Sequence, residues 1–103
     1  MTIQQLEYIV AVDKYRHFVK AAEACNITQS TLSSMIQKLE DELDIVIFDR
    51  KRHPVGVTEV GAKVISHART VLSDTERIKE MILTEQQKET GEIKMGVIPT
   101  VAP

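Results

Sequence analysis

The chain has 103 residues, of which 43% are hydrophobic, 27% are charged and 4% are aromatic, and its formal net charge is −2. This length allows one small domain with a modest core and an extension. The slight negative charge argues against indiscriminate binding to polyanions. Because Trp is absent and aromatic residues are few, we expect an aliphatic core.

The single cysteine and the start of the chain favour a cytoplasmic protein. Cys25 has no second cysteine with which to form an internal disulfide, which suits a reducing compartment. The opening "MTIQQLEYIV" lacks a basic segment followed by an apolar run, so it is not a secretory signal. No apolar stretch approaches the ~20 residues of a membrane span, and we expect no membrane partner.

The spacing of apolar residues predicts two short helices at the start of the chain. Thr2 and Gln5 have the spacing of a capping box, which opens a helix of about residues 3–14. A second apolar stripe repeats at i, i+3, i+4 and i+7 and ends at Cys25. We expect Cys25 to be a buried, protonated packing residue and Asn26 to end the helix in the left-handed conformation.

A third helix follows, and one of its faces is unusually polar. Thr28 or Ser30 caps it, and its apolar stripe consists of Leu32, Ile36, Leu39 and Leu43. The opposite face carries Gln29, Ser30, Ser33, Ser34, Gln37 and Asp41. A buried helix would not need these side chains at its start, so we expect this face to contact something outside the domain.

A short β-ribbon with a cationic turn is predicted after the third helix. The run "IVIFD" is too short for a helix and rich in β-branched residues, which predicts a strand over Ile45–Phe48. The turn "RKRHPVG" carries three cations, and Val57 returns as a second short strand. By itself, this charged turn is more simply interpreted as solvated surface.

A long fourth helix is predicted from Glu59, with Thr58 as its cap and Gly91 as its end. About 30 residues at 1.5 Å each give a rod of roughly 45 Å, which a small domain cannot cover. Two copies can pair through its apolar seam, or the seam can pack against helix one of its own chain. The seam consists of Val64, Ala68, Val71, Leu72, Thr75, Ile78 and Ile82.

These parts define a mainly α fold, a winged helix-turn-helix followed by a long linker helix. In such a domain the third helix enters the DNA major groove, where Gln can bond adenine bidentately and Ser can bond base edges. Residues 1–60 hold seven cations against nine acids, so the placement of charge matters more than its sum. The candidate DNA contacts are Thr28, Gln29, Ser30, Thr31, Ser33, Ser34 and Lys38 on the helix and Arg50, Lys51, Arg52 and His53 in the wing.

Two of these assignments have structural alternatives. Thr28 and Ser30 can be caps alone, with the rest of the polar face solvated. Arg50 can brace the wing against the body of the domain instead of contacting DNA.

The motifs "QLEYIVAV", "AAEACNITQSTLS", "IQKLEDELDIVIFDR" and "VTEVGAK" stand in order and resemble the N-terminal domain of LysR-type transcriptional regulators. The resemblance implies a DNA-binding domain over 1–58, a linker and dimerisation helix over 59–90 and the start of an effector-binding α/β domain over 91–103. It also implies a homodimer, a tetramer of the full-length protein, RNA polymerase as a further partner and an interrupted palindromic operator. The strings "NITQSTLS" and "GVIPTVAP" are most similar to the peroxide-sensing OxyR branch.

The chain departs from the family pattern at several positions. The family usually has Ser where His17 stands, Gly where Asp44 stands and Arg where Ser34 stands. Asp tolerates a left-handed helix end less well than Gly.

Two other classes of function remain as alternatives. Catalysis would need a nucleophile with a base or a metal cluster, but His17, His53 and His67 lack metal-ligand spacing with each other or with Cys25. We therefore expect no enzyme, no metal and no cofactor. A winged-helix module that binds another protein instead of DNA is the second alternative.

Overall fold

The computed structural model describes residues 1–90, and the side chains up to residue 87, as four α-helices and one two-stranded sheet. In chain order the elements are α1 (Ile3–Tyr15), α2 (Phe18–Ala24), α3 (Gln29–Leu43), β1 (Phe48–Asp49), β2 (Gly56–Val57) and α4 (Glu59–Thr90). The mainly α winged-helix architecture predicted from the sequence is confirmed. The helix end expected at Gly91 and the strand expected beyond it lie outside the described residues.

The start of α1 is a capping box, as predicted. The Gln5 N–H donates to the Thr2 hydroxyl at 3.1 Å, and the Thr2 N–H donates to the Gln5 side-chain oxygen at 2.9 Å. The helix ends at Arg16, which adopts φ 51° and donates its N–H to the Val12 carbonyl at 2.7 Å. This left-handed end had no signal in the sequence, because Arg is not a residue typical of that conformation.

The turn between α2 and α3 follows the prediction closely. Asn26 has φ 59°, and the Ile27 N–H donates to the Ala22 carbonyl at 3.0 Å. Thr28 is the N-cap of α3, which settles the choice between Thr28 and Ser30. The far end of α3 stops at Asp44 with φ 56°, so Asp takes the left-handed position that Gly usually occupies in the family.

The strand predicted over Ile45–Phe48 is wrong in its position. The sheet pairs Phe48 with Val57 and Asp49 with Gly56 in antiparallel register. The preceding backbone bonds to the end of α3 instead, since the Ile45 N–H donates to the Glu40 carbonyl at 3.0 Å. Hydrogen bonds that a sheet partner would have made are therefore already satisfied by the helix.

The core lies among the first three helices, the segment before β1 and the start of α4. Its largest fully buried side chains are all aliphatic: Ile9, Val12, Leu32, Ile36, Leu39 and Ile47. The expectation of a purely aliphatic core is nevertheless wrong, because Tyr8 and Phe48 are also buried. Phe48 meets Phe18 edge to face, with ring centroids 6.1 Å apart.

Thr58 caps α4 as predicted, its hydroxyl accepting the Gly61 N–H at 3.0 Å. Met1–Leu72 form one compact unit, and Ile65 and Ala68 of α4 are buried within its core. Of the described residues, 73–90 belong to a second unit. None of the helices within residues 1–90 combines the length and the apolarity that a membrane crossing requires.

Candidate nucleic-acid interface

The start of α3 is fixed by a small hydroxyl network. The Thr28 hydroxyl accepts the Thr31 N–H at 3.1 Å and lies 2.8 Å from the Thr31 hydroxyl and 3.3 Å from that of Ser30. Thr28 and Thr31 therefore have a structural role at the cap. The same network orients the first turn of α3, from which Gln29 and Ser30 project into solvent.

Beyond the cap, α3 presents polar side chains that have no partner in the described part of the chain. Gln29, Ser34 and Lys38 are exposed, and none of their side chains has a hydrogen bond to another group within residues 1–90. Ser33 differs, because it is half-buried and its hydroxyl accepts a hydrogen bond from Arg50. The first three turns of α3 thus offer an amide, hydroxyls and an ammonium group to an external partner.

The wing, defined here as residues 50–55 between the two strands, is cationic and mostly exposed. Lys51, Arg52 and His53 are all exposed. The Lys51 backbone N–H donates to the Asp49 carboxylate at 3.1 Å, which shapes the turn and leaves the ammonium group outside. The Arg52 side chain lies over Gly56, where a Cβ would come within 3.1 Å of it.

Arg50 behaves differently from its two cationic neighbours. Its guanidinium group donates to the Ser33 hydroxyl, lies 3.5 Å from the Glu40 carboxylate and stacks 4.8 Å from the centre of the Phe18 ring. These contacts match the bracing role that the sequence left open for Arg50.

No role was predicted for Glu40 from the sequence. Only 5% of Glu40 is exposed, and its carboxylate accepts the N–H groups of Ile47 at 2.7 Å and Phe48 at 3.2 Å. One signal was present, because Glu40 follows Ile36 by four residues and so flanks the apolar stripe.

An open cleft brings helix and wing residues together. It lies between the start of α2, the start of α3 and the wing, and its lining includes His17, Lys20, Gln29, Ser33, Arg50 and His53. Lys38, Lys51 and Arg52 lie outside it. His17 caps α2, since its Nδ1 accepts the Lys20 N–H at 3.2 Å.

Cys25 is only half-buried, so the expectation of a buried residue is wrong in degree, although the side chain does pack against the core. Burial raises the pKa of the Cys25 thiol above its usual value, and the nearby Glu7 carboxylate adds a smaller effect in the same direction. The thiol is therefore protonated near neutral pH. Within residues 1–90, no three His, Cys, Asp or Glu side chains converge to hold a metal ion.

The residues predicted to form the dimer seam divide into two groups. In the first unit, Ala68 is buried and Val64 and Leu72 are partly buried against the core, whereas Val71 is exposed. In the second unit, Ile78 and Ile82 are 58% and 47% exposed and Thr75 is partly buried. Met81 and Leu83, which the seam did not include, are exposed as well.

Three short helices, a two-stranded wing and a polar third helix beside it define the class of winged helix-turn-helix proteins. The sequence pattern of bacterial regulatory helix-turn-helix proteins of the lysR family matches residues 3–62. The chain belongs to this family.

Its relatives include an activator of hydrogen peroxide-inducible genes. The hydrogen peroxide-inducible genes activator of Haemophilus influenzae is 45% identical over 103 residues, which are 100% of this chain and 34% of that protein. The chain therefore spans about a third of the length of the curated relatives it matches. The DNA-binding transcriptional dual regulator OxyR of Escherichia coli is 42% identical over 103 residues, again 100% of this chain and 34% of that protein, which confirms the resemblance to the OxyR branch seen in the sequence.

Two solved structures share the fold. A full-length OxyR variant from Pseudomonas aeruginosa matches with a TM-score of 0.77 and 40% identity over 82% of this chain and 28% of that one. The DNA-binding domain of BenM, solved in complex with benA site 1 DNA, matches with a TM-score of 0.79 and 36% identity. That match covers 82% of this chain and 94% of the BenM domain.

Proposed function

We propose that the chain binds double-stranded DNA sequence-specifically, as the DNA-binding part of a regulator that controls transcription in the response to oxidative stress. The observation that carries this proposal is the row of exposed, unpartnered polar groups on α3 beside a cationic wing. The BenM domain, which was solved with DNA, and the name of the Haemophilus relative, a hydrogen peroxide-inducible genes activator, support it.

The first turns of α3 read bases in this proposal. Gln29 bonds adenine through its amide, while Ser30 and Ser34 donate to base edges or phosphates. The helix N-terminus adds backbone N–H donors for a phosphate. Lys51 and Arg52 hold phosphates or enter the adjacent minor groove, with Lys38 and His53 as further contacts.

The acidic net charge does not oppose this arrangement, because two of the acids near the end of α3 are paired. Glu40 is next to the Arg50 guanidinium, and Glu42 accepts from the amino group of Met1. Asp41 accepts from Gln37 and lies three turns from the start of the helix. Positive potential at the wing can therefore act without direct opposition from α3.

A mobility-shift titration at two salt concentrations tests the proposal. We expect the chain to shift a duplex that it has itself selected from a random-sequence pool, and we expect affinity to fall as salt rises. Absence of any shift, even at low salt, would favour the protein-interaction module instead.

We further propose a homodimer that binds an interrupted palindrome, with the exposed apolar residues of α4 as the interface. Val71, Ile78 and Ile82 supply the apolar surface. A two-fold dimer matches a two-fold operator, since each copy reads one half-site. The family resemblance supports a tetramer of the longer protein, contact with RNA polymerase, a cytoplasmic location and a regulatory role instead of an enzymatic one.

Replacing Gln29 with Ala is expected to remove roughly 1–3 kcal/mol of discrimination at one base pair, because the bidentate amide contact is lost. Binding of the selected duplex and of its single-base variants checks this. Gln37→Ala is the matched control, since Gln37 is also exposed but bonds Asp41 within its own helix at 3.0 Å. An unchanged base preference in Gln29→Ala would contradict the role of Gln29.

Cys25 is expected to have no part in peroxide sensing by this chain. Its raised pKa keeps the thiol protonated, and the thiolate is the form that peroxide oxidises. Peroxide should leave both the mass of the Cys25-containing peptide and the DNA affinity of the chain unchanged. Cys25→Ala should cost about 1 kcal/mol of stability and leave base preference intact. Rapid oxidation of Cys25 with altered affinity would contradict this.

A further inference from the structure

Arg50 connects three elements through one guanidinium group. One of its Nη atoms donates to the Ser33 hydroxyl, and the other lies 3.5 Å from both the Ser33 carbonyl and the Glu40 carboxylate. Its Cζ is 4.8 Å from the centre of the Phe18 ring. Since Phe18 opens α2, and Ser33 and Glu40 belong to α3, Arg50 ties the first residue of the wing to both helices of the helix-turn-helix.

Glu40 completes the connection from the other side. One oxygen faces Arg50, while the other accepts the N–H groups of Ile47 and Phe48, where the chain enters β1. The carboxylate is 6% exposed, so little water competes for these bonds. The entry to β1, at Ile47 and Phe48, and the exit from it, at Arg50, are thus both held by α3.

We infer that Arg50 and Glu40 form a brace that positions the wing against α3, so that Arg50 supports operator specificity without itself contacting DNA. This inference rests on the proposed DNA binding. Arg50 is a positioning residue in this account, and the DNA contacts of the wing come from Lys51 and Arg52.

Charge and exposure separate Arg50 from its neighbours. The Arg50 side chain is 33% exposed and is next to a carboxylate, whereas Lys51 and Arg52 are exposed and have no ion pair within residues 1–90. A cation that is already paired within the protein contributes little to the release of counterions from DNA. Loss of Arg50 should therefore change the geometry of binding more than its salt dependence.

The test compares Arg50→Gln with Lys51→Gln, which removes the same charge one residue away. Both proteins are titrated over a salt series on the duplex selected by the unaltered chain and on a scrambled duplex of the same composition. Arg50→Gln should lower the ratio of the affinities for the selected and the scrambled duplex about tenfold, the effect expected when displacement of the wing costs one base-specific contact. The dependence of affinity on salt concentration (the salt slope) should stay unchanged. Lys51→Gln should weaken binding to both duplexes and lower the slope by about 0.9.

Arg50→Lys and a footprint distinguish positioning from simple loss of stability. Lys keeps the charge but lacks the planar fork, so it would restore a phosphate contact but not the brace. We expect Arg50→Lys to resemble Arg50→Gln. In both, hydroxyl-radical protection beneath the wing should move to neighbouring nucleotides, because the displaced Lys51 and Arg52 still pair with phosphates, while protection beneath α3 persists. A partly unfolded protein would instead lose all protection and bind both duplexes more weakly in equal measure.

Glu40→Gln supplies a second variant, because loss of an acid cannot remove an attractive contact to phosphate. It should reproduce the specificity loss of Arg50→Gln without lowering the salt slope. If Glu40→Gln does not fold, the two Arg50 variants decide the matter alone. A salt slope that falls in Arg50→Gln as in Lys51→Gln, or an unchanged affinity ratio, would overturn the inference. Failure of the unaltered chain to bind any duplex would instead overturn the proposed function.

Discussion

Replacing Gly61 with Ala is expected to destabilise the domain by about 1–3 kcal/mol, the usual range for overpacking. The same substitution in an open helix stabilises a protein by up to about 1 kcal/mol. The sign reverses here because a Cβ on Gly61 would lie 2.5 Å from the Ile47 carbonyl oxygen and 2.9 Å from its Cα. Both atoms are backbone, so a change of rotamer cannot relieve the clash.

Thermal or urea denaturation of the chain measures this effect. Gly56→Ala is the matched control, because a Cβ there would meet only the Arg52 side chain, at 3.1 Å, and that long side chain can move. We expect the control to shift the midpoint much less than Gly61→Ala. An unchanged midpoint in Gly61→Ala would contradict the close approach of α4 to the backbone before β1.

The helix boundaries could be predicted because their signals are local. The capping box of Thr2 and Gln5, the Thr28 cap and the left-handed Asn26 each depend on residues within four positions of one another. The left-handed end at Arg16 could not be predicted. Its backbone N–H and C=O bond to Val12 and, across the fold, to Val55.

The strand and the brace were missed for a common physical reason. The stretch before β1 has strand-like composition, but its backbone donors bond to Glu40, whose burial was not predicted from the sequence. Ser33 was likewise treated as a member of the exposed polar face, although Arg50 bonds it. A local pattern cannot show a bond between residues 17 positions apart.

The exposed part of the interface was easier to predict, because it depends only on which face of α3 is apolar. Once Leu32, Ile36 and Leu39 are buried, Ser34 must lie on the other side. Gln29 precedes Leu32 by three residues and therefore shares its face by spacing; it is exposed because it is the first residue of α3. Exposure does not specify which bases they bind, and operator selection by the chain itself would supply that information.

Replacing Ile78 with Glu is expected to convert a dimer into a monomer and to lower affinity for a two-half-site duplex by about 100-fold. Ile78 is 58% exposed, and Met81 and Ile82, three and four residues further along the helix, are also exposed, an apolar surface that pairing of two copies would bury. A carboxylate at the centre of that surface would have to be desolvated without a partner. The affinity loss follows because two linked half-site contacts bind far more tightly than one.

Light scattering over a range of concentrations and titration of one- and two-half-site duplexes measure these effects. Thr84→Glu is the matched control, since it adds the same charge at an exposed polar position of the same helix. We expect the control to remain dimeric, and Ile78→Glu to bind a single half-site as well as the unaltered chain does. That equality would show that α3 and the wing are intact and that only pairing is lost. A monomeric unaltered chain at high concentration, together with no effect of Ile78→Glu, would exclude α4 as the dimer interface.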